Sequence, residues 1–219
     1  MINIVDKRDC CGCTACQSIC PKKCISMVSD DEGFAYPIIN KDLCIDCGAC
    51  EKVCPIINYQ HKENTPKVFG LINKDNDTIR RSTSGGAFWG IVEYVLAHGG
   101  VVYGAAYDED FKVKHCREFT SEGCRKFHGA KYVESKIDIG LLATVRDDLK
   151  ANRIVLFSGT PCQIAGLLRY LRKPYDNLIT VDLVCSSVPS RKIYNDFLTF
   201  VAEKKNLASI NMRWKGNGW

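Results

Sequence analysis

Two cysteine blocks, repeated at an offset of 34 residues, constrain this chain more than any other feature. The first is Cys10-x-x-Cys13-x-x-Cys16-x-x-x-Cys20-Pro21, and the second is Cys44-x-x-Cys47-x-x-Cys50-x-x-x-Cys54-Pro55. Ten of the 14 cysteines fall before residue 55. In an exported protein that density would read as a disulfide framework. Here Met1-Ile2-Asn3-Ile4-Val5-Asp6 is too short and too quickly charged for a signal peptide. No apolar run approaches the roughly 20 residues of a membrane span. A cytoplasmic chain with metal-bound thiolates is therefore expected.

Each block has the C-x₂-C-x₂-C-x₃-C-P spacing of bacterial ferredoxins, which hold two [4Fe–4S] clusters. A cubane needs four thiolates converging on one volume, and a tight loop wraps three of its corners. Gly12 and Gly48 sit inside those loops, where the backbone turns sharply. The fourth cysteine, followed by proline, serves the other cluster. The expected ligand sets are Cys10, Cys13, Cys16 and Cys54 for the first cluster, and Cys44, Cys47, Cys50 and Cys20 for the second. Zinc sites use two separated C-x₂-C pairs or mix in histidine, and this spacing does not match them. Cys11 would break the register as a ligand, and Cys24 reads as a small core thiol. Between the blocks, 25–28 and 34–39 read as a β-hairpin with a polar turn.

The charge divides along the chain. Residues 1–60 carry 6 basic and 8 acidic side chains, leaving 24 and 17 for residues 61–219. Eight ligand thiolates around two oxidised cores add about −4 to the N-terminal part. An acidic piece is thus joined to a basic one. The basic part attracts phosphate-bearing cofactors, attracts its acidic neighbour, or is simply a solvated surface. Nucleic-acid binding is not implied.

Residues 61–66 read as a linker ending in proline, between a ferredoxin domain over 1–60 and an α/β domain over 67–219. Strands are expected at 68–72, 101–106, 153–157 and 178–184, and helices at 84–98, 138–151, 162–171 and 191–205. This alternation predicts an α+β ferredoxin-like N-terminal domain, then an α/β domain with a mostly parallel sheet. Ligands of such sheets bind at the carboxyl ends of the strands.

Three turns lie at such places. Ser82, Thr83, Ser84, Gly85 and Gly86 open a helix; they present N–H groups to a phosphate or flavin edge, or are an ordinary hydroxyl-rich cap. Gly159, Thr160, Pro161, Cys162 and Gln163 follow a strand, with Thr160 as N-cap and Pro161 in the first helical position. Cys185 follows the next strand. Cys162 and Cys185 either bind metal together or are two core thiols. Cys116 and Cys124 read as structural, and the four histidines show no ligand spacing.

Taken together, the motifs resemble the coenzyme F-420 hydrogenase/dehydrogenase beta-subunit family, in the form carrying an N-terminal ferredoxin domain. The carrying residues are Ser82-Thr83-Ser84-Gly85-Gly86 and Gly129-Ala130-Lys131-Tyr132-Val133. Phe157-Ser158-Gly159-Thr160-Pro161-Cys162-Gln163-Ile164-Ala165-Gly166 and Val181-Asp182-Leu183-Val184-Cys185 through Val188-Pro189-Ser190 complete the set. The resemblance implies FAD, held near 82–86, Lys131 and 159–163, and a cluster or flavin role for Cys162. It leaves room for a third cluster at Cys162 and Cys185. Many relatives have Cys-His-Gly-Val-Pro-Ser where this chain has Cys185-Ser186-Ser187-Val188-Pro189-Ser190. Relatives also continue past the position of Trp219, so residues 67–219 are expected to be an incomplete, C-terminally shortened flavin-site domain.

The expected function is that of an iron–sulfur flavoprotein oxidoreductase. It would exchange electrons with a redox partner protein and with a small-molecule substrate or deazaflavin. The alternative is a non-catalytic ferredoxin-type subunit that docks on a partner enzyme.

Overall fold

In this computed structural model, which describes residues 1–59, 65–203 and 207–213, each cysteine loop closes on a short helix. α1 (Ala15–Ile19) follows Thr14, and α2 (Ala49–Lys52) follows Gly48. Both preceding residues are left-handed, at φ 59° and 68°, a conformation that is free for Gly48 and costly for Thr14. Between the helices, β1 (Ile25–Ser29) pairs antiparallel with β2 (Ala35–Ile39), Ile25 opposite Ile39. Asp30 closes the turn by accepting from the N–H groups of Glu32 and Phe34 at 3.1 Å each. The expected hairpin is present.

The rest of the chain follows as α3 (Asn76–Arg81), α4 (Ala87–Ala97), β3 (Val101–Tyr107), β4 (Val113–Glu118) and α5 (Ser121–Cys124). Then come α6 (Leu141–Lys150), β5 (Val155–Gly159), α7 (Pro161–Leu171), β6 (Leu178–Asp182) and α8 (Arg191–Ala202). The sheet order is β4-β3-β5-β6, parallel except for the β3–β4 hairpin. Val101, Tyr103, Val155 and Phe157 point to one face, against Leu142, Val145 and Leu167 of α6 and α7. Val102, Ala106 and Leu156 point to the other, against Trp89, Val92 and Val95 of α4. Covering both faces explains why β3 and β5 are apolar almost throughout. The fold class is the expected one.

One expected strand is absent. Residues 68–72 form no strand, and Val68, Phe69, Leu71 and Ile72 are exposed. The free edge of β3 is taken by β4, which returns from it through a short turn, so 68–72 finds no partner there. Instead, Asn73 donates its N–H to the Gly85 carbonyl at 2.7 Å, tying this segment to the 82–86 turn. Of the expected linker, residues 61–64 lie outside the described residues, and 65–66 carry no regular structure.

The N-terminal part is seated on α7, on the face of the sheet that α6 and α7 cover. Cys13, Ala15 and Val53 share a core with Ile164 and Leu167 of α7. Ser190, the N-cap of α8, donates to the Glu32 carbonyl at 2.5 Å. Arg169 donates to the Asn58 carbonyl.

His115 pins β4 to the end of β5. Its Nε2–H donates to the Ser158 carbonyl at 2.9 Å, so Nδ1 accepts from the Ser135 hydroxyl at 2.7 Å. The ring stacks on Phe157, centroids 5.3 Å apart. Burial pushes its pKa from 6.5 down to about 4. The unfolded chain therefore binds a proton that the folded chain refuses between these values. The stability this neutral ring confers is complete above pH 6.5 and falls as pH drops toward 4. Stability should drop by about 1 kcal/mol on going from pH about 7.5 to about 5.5. His115→Gln should flatten that part of the profile in thermal melts; an unchanged slope would assign the effect to other groups.

Candidate functional site

The two cysteine blocks interleave. Cys20, Cys44, Cys47 and Cys50 line one cavity with Gly48 and Ile25. Cys10 and Cys16 have Cys54 beside them, and burial holds the Cys16 thiol up at about 12 and raises Cys10 as well. Cys13 faces the other way, onto α7, where a Cβ on Gly166 would stand 2.7 Å from its Cβ and 3.0 Å from its Sγ. Cys47 is exposed, while Cys13, Cys16, Cys50 and Cys54 are buried.

Thiolate ligands need hydrogen-bond donors around the sulfur, and the loops supply them. Gly12 N–H reaches Cys10, and Gln17 N–H reaches Cys16. Burial opposes the Cys20 thiolate, but the N–H groups of Cys24, Lys22 and Lys23 and the Cys24 thiol bring its pKa below the usual range. Cys24 lies 3.4 Å from Cys20, sulfur to sulfur, and that bond pushes its own thiol up to about 11. Cys24, read from sequence as a core thiol, is buried against the second block. Among the described residues, no three His, Cys, Asp or Glu side chains converge as around a single metal ion. Ligands of a cubane stand wider apart, and the donor set is all thiol, so a [4Fe–4S] cluster suits these cysteines better than zinc.

The 159–163 turn is built as a helix start. Thr160 caps α7 and Pro161 is its first residue. Gln163 accepts from the Thr160 N–H and donates to the Ser135 carbonyl, both at 3.0 Å, so its amide is engaged within the protein. Cys162 lies 3.1 Å from Thr160 Oγ1 and donates to Cys11, which donates in turn to Cys13. Its bond to Cys11, with burial, raises the Cys162 pKa strongly. Cys185 is exposed.

On the opposite face, Gly86 is left-handed at φ 81° and leads into α4. Because α4 runs antiparallel to β3, its N-terminus lies at the carboxyl end of β3. The N-terminus of α7 lies at the carboxyl end of β5, parallel to β3. Both turns therefore share one edge of the sheet. Lys131 is near that edge, over the Tyr107 ring, with Nζ donating to the His128 carbonyl at 2.9 Å and to those of Gly129 and Phe127. Burial lowers its pKa to about 8.

Sequence reading missed a cationic cleft beside α4, lined by Arg81, Arg125, His128, Tyr107 and Asn211. His128 packs tilted against Trp89, ring centroids 4.3 Å apart, and burial, with Arg81, Lys131 and Arg125 nearby, keeps it below the ordinary imidazole range. Only the excess of basic residues after residue 60 hinted at this cleft.

Residues 9–57 match the family model of the 4Fe-4S dicluster domain. Residues 152–219 match the family model for the C terminus of the coenzyme F420 hydrogenase/dehydrogenase beta subunit. Both matches agree with the family that the sequence motifs resemble, each over its own part of the chain. No curated protein matches it. The dicluster match covers both cysteine blocks, so this chain carries a ferredoxin-type [4Fe–4S] electron-transfer domain. The second match takes in β5, the 159–163 turn, α7, β6 and α8. Among the described residues, no helix is long and apolar enough to cross a membrane.

Proposed function

We propose that this chain is an iron–sulfur flavoprotein oxidoreductase that exchanges electrons between a redox partner protein and a small substrate or deazaflavin. The carrying observation is the seat of the first cysteine loop. Cys13 lies over Gly166, and Cys11 against Cys162, directly behind the 159–163 turn. In this reading, 1–60 is a dicluster domain and 67–219 a flavin-site domain. Cys10, Cys13, Cys16 and Cys54 would hold one cluster, and Cys20, Cys44, Cys47 and Cys50 the other. Bound clusters supply single-electron transfer, and a flavin converts it to two-electron chemistry. Cys47, exposed with Leu43 and Ile45 at 54% and 58%, marks the face that a partner protein would meet. Arg81, Arg125 and the N–H groups opening α4 would hold the diphosphate of FAD.

A second reading, a ferredoxin-type subunit without flavin, is favoured by Gln163 and Lys131, whose polar groups are already bonded within the protein. Anaerobically purified protein should contain about eight irons and one FAD per chain. Arg81→Ala with Arg125→Ala should weaken FAD binding at least about tenfold, by losing charge-assisted bonds of about 1.5–3 kcal/mol each, while iron is retained. Eight irons with no flavin after adding FAD would leave the electron-transfer reading.

A further inference from the structure

The first cysteine loop meets a charged pair that the α/β half supplies. A Cβ on Gly12 would stand 3.5 Å from Glu134 Oε1, so this carboxylate lies against the loop between Cys10 and Cys13. Its other oxygen accepts from Arg191 Nε at 3.3 Å. The Arg191 and Glu134 side chains are 29% and 20% exposed. At the entry to the same loop, Arg8 and Asp6 pair at 83% and 39% exposed, where water and salt screen them more. Glu134 is held from both sides. Val133 is buried with Val113 and Tyr194, and Ser135 bonds to His115 and Gln163. Lys136 donates its N–H to the Val113 carbonyl at 3.0 Å and accepts from the His115 N–H at 2.9 Å. Arg191 opens α8 behind Ser190, the cap that also holds the Glu32 carbonyl. A cation in the first turn opposes the helix dipole, and this turn contains no acid. The place of Arg191 therefore answers to Glu134 rather than to the start of α8.

We propose that the Glu134–Arg191 pair sets the reduction potential of the cluster held by the first cysteine block, a control that the α/β half exerts on the dicluster half. The inference rests on the reading of Cys10, Cys13, Cys16 and Cys54 as one ligand set. Cluster potentials follow net charge, hydrogen bonds to the sulfurs and solvent exposure. On reduction one electron enters, no bond is made or broken, and the cluster gains one negative charge. The Glu134 carboxylate opposes that charge, and the Arg191 guanidinium favours it. Their partial burial leaves both less screened than a surface pair. Each charge offsets the other while the pair is intact, so removing either one exposes the cluster to its partner alone.

The test titrates anaerobically purified, cluster-loaded protein with dithionite and reads the reduced clusters by electron paramagnetic resonance at each poised potential. Glu134→Gln, which leaves Arg191 unopposed, should raise one of the two reduction steps. Arg191→Gln, which leaves Glu134 unopposed, should lower the same step. The double variant should fall between them, and Arg191→Lys should stay nearer the unaltered protein than Arg191→Gln does. Lys192→Gln removes the same charge from the next residue, which is 58% exposed and paired with Asp196, and should move neither step. With about eight irons retained in every variant, three results would overturn the proposal. These are both single variants moving the step in the same direction, as general loosening would, equal movement of both steps, or shifts no larger than that of Lys192→Gln. Iron well below about eight per chain in the unaltered protein would overturn the ligand reading as well, which separates the two failures. The signals belong to the clusters, so a failure of the flavin reading leaves the proposal standing.

Discussion

Asp148→Ala should destabilise the protein by about 3 kcal/mol, the cost of breaking a buried ion pair from one side. Asp148 lies in the last turn of α6, where a carboxylate faces the negative end of the helix dipole. Its side chain is only 4% exposed. It is held there by Tyr103, which donates at 2.6 Å, by Arg153 at 2.9 Å and by Arg117. Alanine would leave the Arg117 guanidinium, 28% exposed, without its counter-charge, and the buried Tyr103 hydroxyl without an acceptor. Arg153, 46% exposed, can turn to water, which keeps the expected loss at the lower end of the range. The melting temperature should fall by about 6–12 °C for a chain of this size. Asp148→Asn, which keeps an acceptor oxygen, should lose less. Asp147→Ala changes the exposed neighbour and should stay within about 0.5 kcal/mol. Equal effects at 147 and 148 would show that the network contributes nothing beyond helix composition.

Gly166→Val should unseat the cysteine loop from α7. The new Cβ would sit 2.7 Å from Cys13 Cβ and 3.3 Å from the Cys13 carbonyl oxygen. Neither atom is the free end of a side chain, so the backbone of one half must move. Overpacking of this kind costs about 1–3 kcal/mol. Gly166→Ala is the sharper comparison. In an exposed helix it would stabilise by about 1 kcal/mol, whereas here a net loss is expected. Hydrogen exchange should show faster opening at residues 13–16 and 162–167 together, with the β3 and β5 amides unaffected. A stabilised Gly166→Ala protein with unchanged exchange would mean that the two halves do not rest on each other at this point.

What the chain shows on its own is the local chemistry. The cysteine blocks need only their spacing to be read, because a cubane is wrapped by one short loop and completed by one distant residue. The hairpin at 25–39, and α7 starting at Thr160 and Pro161, follow from turn and cap preferences acting over a few residues. The alternation of strand and helix gives the mostly parallel sheet. Tertiary structure decided the rest. β4 alternates Val113, His115 and Arg117 with Lys114, Cys116 and Glu118, so its strand character depends on a hairpin partner rather than on hydrophobicity. Residues 68–72 read as a strand from their apolar run, but a strand needs a free edge, and β4 holds the one beside β3. The Asp148 network, the Arg81–Arg125–His128 cleft and the seat of Cys13 over Gly166 join residues far apart in the chain. No local preference encodes such pairings; they exist only once both faces of the sheet are covered and the dicluster half is seated on α7.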